Sequence, residues 1–148
     1  MKKILLLLLL FGLNSCKLID KIKPNSSKSS LISYSLWKLE TLRDSEDKDL
    51  KNDNLPAQAK GLYGLDFDFK ANKIVRALDR GSKQVLGQGT WALSADEQTI
   101  NIDLPEFKGD FKVVQLSSKS FLIQYASEKK FAGLGIGLKL LLVPADNL

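Results

Sequence analysis

Side chains able to move protons, hold metals or form bonds are scarce in this sequence. Histidine is absent, which removes the side chain that titrates near neutral pH and the commonest metal ligand. One cysteine is present, Cys16; its thiol could attack an electrophile or carry a lipid, but it has no disulfide partner within the chain. Asp66 and Asp68 stand two apart in an alternating segment, so both carboxylates lie on one strand face, about 7 Å apart. Two carboxylates could serve glycoside hydrolysis, yet these oppose Phe67 and Phe69, where a solvated outer row is expected. Gly133, Gly135 and Gly137 do not make a phosphate loop, since the Lys-Ser/Thr ending and the strand-to-helix setting are missing. Glycines alternating along a strand mark a bend, a bulge or a close backbone approach instead. No catalytic residue, metal site or cofactor is expected from this set.

The surroundings of Cys16 point to lipid chemistry. Lys2 and Lys3 precede an apolar run from Ile4 to Leu13, ten residues long. That length matches the core of a secretion signal, about 7–15 residues, and falls well short of the roughly 20 needed to span a bilayer. The run ends in Leu13-Asn14-Ser15-Cys16, which resembles the lipobox of bacterial lipoproteins. The resemblance implies diacylglycerol on Cys16, cleavage before it, and commonly further acylation. Two or three chains at ~0.8 kcal/mol per buried methylene form a durable membrane anchor. The expected organisation is a signal peptide over 1–15, a lipidated cysteine and flexible tether over 16–30, and one folded domain over 31–148. Lys17 follows the cysteine where an Asp would favour inner-membrane retention, and the start is not acidic like surface-export signals. The expected location is therefore the outer membrane, on its periplasmic face.

Charge follows the same division. The formal net charge is +5, but Lys2 and Lys3 carry two of those charges. The tether's Lys17, Lys21, Lys23 and Lys28 against Asp20 carry the other three. Residues 31–148 are formally neutral, so the domain lacks the positive field that drives phosphate binding, and nucleic acid is not an expected partner.

The elements that would position any site are strands. Period-two alternation, the mark of a half-buried strand, puts Trp37, Leu39 and Thr41 on one face, then Tyr63, Leu65, Phe67 and Phe69. Ile74 to Leu78 is a short strand. Val85, Gly87, Gly89, Trp91 and Leu93 are in phase, as are Ile100, Ile102 and Leu104. Phe111 with Val113, then Phe121, Ile123 and Tyr125, and finally Leu134 through Leu142 bring the set to eight. Turn chemistry separates them at 70–72, 79–81, 94–96, 108–110 and 117–119. Short connections imply antiparallel neighbours, and eight of them remove their free edges by closing into a barrel; a two-sheet sandwich is the alternative. Residues 43–61 interrupt the pattern with a dense run of charge, followed by a stretch, 55–61, able to form one helical turn.

Several of these segments together resemble the small lipocalin-like lipoproteins of Bacteroidota. They are Leu36-Trp37-Lys38-Leu39, Leu65-Asp66-Phe67, Gly89-Thr90-Trp91 with Leu93-Ser94, Ile100-Asn101-Ile102 and Leu140-Leu141-Leu142-Val143-Pro144. The resemblance covers about residues 34–144 and implies an all-β, eight-stranded, antiparallel up-and-down barrel.

Function then turns on the interior. Trp37, Phe67, Phe69, Trp91, Phe111, Phe121 and Tyr125 are the candidate lining of a ligand site. An eight-stranded barrel is wide enough to be filled by its own side chains or to hold one small ligand. Glycines flanking Trp91 could leave interior space. A hollow barrel implies a lipid-anchored module for a small apolar ligand. A filled one implies an accessory envelope protein meeting another envelope protein through its loops, the charged 43–54 segment foremost. An enzyme is not expected.

Overall fold

A computed structural model describes residues 27–105 and 107–145. Cys16, the signal segment and most of the tether lie outside the described residues. Eight strands form a closed barrel in which each pairs antiparallel with its sequence neighbours and β1 closes on β8. They are β1 (Leu36–Arg43), β2 (Leu65–Phe69), β3 (Ile74–Asp79), β4 (Val85–Leu93), β5 (Thr99–Leu104), β6 (Phe107–Leu116), β7 (Phe121–Tyr125) and β8 (Lys139–Pro144). The all-β, up-and-down barrel expected from the alternation is the observed fold.

The alternation works because each strand turns one row inward: Phe67 and Phe69, Ile100, Ile102 and Leu104, Leu140 and Leu142 are all buried. It fails where strands bulge. The register of β1 on β8 slips between Leu39 and Thr41. A bulge adds one residue and reverses the faces beyond it, so Leu42 rather than Thr41 points inward, with no exposed surface.

Three other segments depart from expectation. Residues 108–110 do not turn: they belong to β6, whose hairpin with β5 bends at Pro105 and pairs Leu104 with Phe107. β8 begins at Lys139, and residues 126–138 form a loop in which Gly133 (φ 78°) and Gly137 (φ 73°) adopt left-handed backbone. The third is a helix that alternation cannot show. α1 (Lys28–Tyr34) starts within the stretch read as tether. Ser27 caps it, its hydroxyl accepting from the Ser30 N–H at 3.2 Å. Serines and Ile32 are weak helix formers, and so short a helix is held by tertiary contacts instead. Ile32 is fully buried, and the Trp37 indole N–H donates to the Ile32 carbonyl at 2.8 Å.

α1 covers the end of the barrel where β1 begins. The other end is covered by the long β1–β2 connection, with α2 (Ala57–Leu62) sending Ala59 and Leu62 into the core, and by the 126–138 loop. The charged 44–49 segment is laced by its own groups. The Asp44 carboxylate accepts from the N–H groups of Glu46 and Lys48 at 2.8 and 3.0 Å, Arg43 pairs with Asp49 and Lys139 with Asp47.

Candidate functional site

The seven aromatic residues singled out from the sequence all lie in the interior, six buried and Tyr125 half-buried. They fall into two groups. Beneath α1, Trp37 meets Phe121 at 5.5 Å between ring centres, Phe121 meets Phe69 at 6.2 Å, and Phe69 meets Trp91 edge-on at 5.7 Å. Both indoles here are pinned by hydrogen bonds, Trp37 as described and Trp91 to the Lys70 carbonyl at 2.9 Å. The Lys73 ammonium sits 4.0 Å over the Trp91 ring, a cation–π contact, and donates to the Ser29 hydroxyl at 2.7 Å, tying α1 down.

Toward the loop end the rings are Phe67, Phe111 and Tyr125, joined by two that alternation did not single out, Phe107 and Phe131. Phe107 touches Phe67 and Phe111, each at 5.0 Å. Phe131 closes on Phe107, Phe111 and Tyr125 at 5.7, 5.6 and 5.0 Å. A signal for Phe107 existed, since it is in phase with Phe111 through Gly109, but the turn-like Lys108-Gly109-Asp110 masked it. Gly109 is required where it stands, because a Cβ there would lie 2.5 Å from the Tyr125 ring. Phe131 carries no periodic signal at all, being one apolar residue in a loop.

The interior is therefore largely filled by packed rings, and an apolar cleft opens beside β4. Ladder pairing of β4 with β5 covers only Thr90 to Leu93, so the first half of β4 parts from β5. The gap is an apolar cleft of about 120 Å³ lined by Leu65, Phe67, Ala77, Leu86, Gly87, Leu104, Pro105 and Phe107, of which Leu86 and Pro105 are exposed. Of the seven expected lining residues, Phe67 alone reaches it. Two glycines of β4 act differently here. A Cβ on Gly89 would fall 1.7 Å from the Asp103 carbonyl oxygen, so β5 crosses where a side chain would be. A Cβ on Gly87 would meet only the Pro105 ring, at 3.7 Å; its absence keeps the cleft open. Leu86 at the rim is 63% exposed.

Asp66 and Asp68 overturn the expectation of a solvated pair. Asp66 is fully buried on the outer wall, where its carboxylate receives Lys83 at 2.6 Å and Arg80 at 3.2 Å. The 79–84 turn exists to deliver both cations: the Asp79 carboxylate accepts from the Ser82 N–H and hydroxyl at 2.7 and 2.8 Å. Asp68 pairs with Arg76 and with Lys70 at 2.9 Å. Burial works to raise the Asp68 pKa, but hydrogen bonds and charge from Arg76 and Lys70 outweigh it and hold the carboxyl below its ordinary range. Each acid is spent on holding cations, which is a structural use. Among the described residues no group of three or more carboxylate, histidine or cysteine side chains could hold a metal ion.

No family model matches the sequence, and no curated protein matches it significantly. Among solved structures the fold is similar to a lipocalin-like protein from Bacteroides uniformis, at 17% identity and a TM-score of 0.49, over 74% of this chain and 96% of that one.

Proposed function

We propose that this protein is a lipid-anchored envelope module that takes a small apolar group, one ring or a small fused pair such as indole, or a short acyl segment, into the cleft beside Gly87. One observation carries the reading: among the packed rings of the interior, the cleft beside Gly87 is apolar and open at its rim. A cleft of about 120 Å³ is in the range of a cavity of ~150 Å³ that stays dry and binds benzene. Its walls offer dispersion contacts and no fixed charge, so shape and apolar area would select the ligand.

The anchor belongs to the same proposal through the lipobox at Cys16. Anchoring is set in outer-membrane lipid, with the barrel on the periplasmic face. Cys16→Ser should leave the barrel folded and shift it from the membrane to the soluble fraction; a mutant retained in membranes would contradict the anchor.

Cleft filling tests the ligand reading. Indole binding followed by calorimetry should be saturable in the native chain and lost in Gly87→Val, whose methyl groups enter the gap toward Pro105. Equal binding by both proteins, or none by the native chain, would overturn it.

A further inference from the structure

We propose that Phe131 is a displaceable plug, and that the space beneath it joins the cleft to form a second subsite for the distal part of a larger apolar ligand, a fused ring pair carrying a further ring or a medium-length acyl chain. This rests on the cleft taking an apolar ligand. Phe107 is the shared wall: it lines the cleft and its ring lies 5.7 Å from that of Phe131. Removing the Phe131 ring exposes Phe107, Phe111 and Tyr125, which would extend the cleft along the barrel axis toward the loop end.

The segment bearing the plug is built to come away. Among the described residues, the backbone hydrogen bond within 130–136 is internal, Leu134 N–H to the Phe131 carbonyl at 2.8 Å, and none ties that stretch to a strand. Apolar side chains, chiefly Phe131 and Ala132, hold it in place. Weakly bonded segments of this kind open at lower cost than the sheet around them. Ala132, Gly133 and Gly137 all have left-handed backbone, at φ 50°, 78° and 73°, so tight reversals bound the plug on its C-terminal side. The Tyr125 ring stands beside the plug, its centre 5.0 Å from that of Phe131.

Two cross-links can hold the plug shut. A Cβ built on Gly133 lies 3.4 Å from the Pro56 Cβ, and one on Gly137 lies 3.4 Å from the Ser45 Cβ, close to the separation of about 3.5–4.5 Å in a disulfide. In the full chain carrying Cys16→Ser, Pro56→Cys/Gly133→Cys and Ser45→Cys/Gly137→Cys would each be titrated with N-phenyl-1-naphthylamine and with indole. The oxidised cross-link should weaken binding of the two-part naphthylamine at least tenfold, with recovery on reduction, while indole binding in the cleft is unchanged. Phe131→Ala, which needs no cross-link and no residue in left-handed backbone, should bind the naphthylamine at least tenfold more tightly. Naphthylamine binding indifferent to oxidation in a cross-linked chain, or no gain in Phe131→Ala, overturns the plug. Loss of indole binding in the native chain instead overturns the cleft itself, so the two failures are distinguishable.

Discussion

At the α1 end of the barrel both indole N–H groups donate to backbone carbonyls, a helix covers the rings, and a lysine bridges helix and tryptophan. At the loop end the rings are chiefly phenylalanines without a polar handle, one of them supplied by a loop, and one strand pair is parted. Both ends are apolar and aromatic, so composition does not separate them. Directional bonds do. A ring fixed by a hydrogen bond costs more to move, because moving it leaves a buried donor or carbonyl unpaired; a phenylalanine gives up only contact area. The first end is suited to scaffold and the second to binding.

Stability measurements by chemical denaturation should break or sharpen this contrast. The largest effect is expected for Trp37→Ala, about 3–5 kcal/mol, from the cavity together with the stranded Ile32 carbonyl. Phe131→Ala at the other end should cost less, about 2 kcal/mol, because removing its ring leaves no buried polar group unpaired; equal costs would erase the distinction between the ends. Between the two in size is Gly89→Ala, expected to cost about 3 kcal/mol since the Asp103 backbone must move aside. Gly87→Ala, two residues along the same strand, should stay within about 0.5 kcal/mol.

The smallest effect concerns the outer wall. The Asp68 carboxyl has a folded pKa below its unfolded value. The stability it contributes is therefore present above the unfolded pKa, about 3.9, and is lost as pH falls through the folded value. Asp68→Asn should be less stable than the native chain at pH 7, and the difference should shrink on acidification below about pH 4. A difference that is constant with pH would detach the stabilisation from this carboxylate.

Much of the barrel was legible because an inward row every second residue is a strong pattern, and β2, β5 and β7 carry it cleanly. Bulges were not legible, since the slip after Leu39 depends on β8 and leaves no mark in β1. α1 was hidden because its residues favour no helix and gain one only by burying Ile32. At the site, Gly87 was visible as a side chain missing from an inward row. The cleft was not, because it depends on β5 leaving β4 beyond Thr90, a long-range event. Asp66 read as solvent-facing because alternation gives the face of a residue and not what else covers that face; the 79–84 turn does the covering.

The most direct test of the binding account is a benzene or indole titration of the isotope-labelled chain, followed by methyl NMR. Saturable shifts are expected at Leu65, Ala77, Leu86 and Leu104 around the cleft, with Ile32, Leu39 and Leu142 unmoved. Shifts centred on the α1 end, or no saturable shift anywhere, would contradict it.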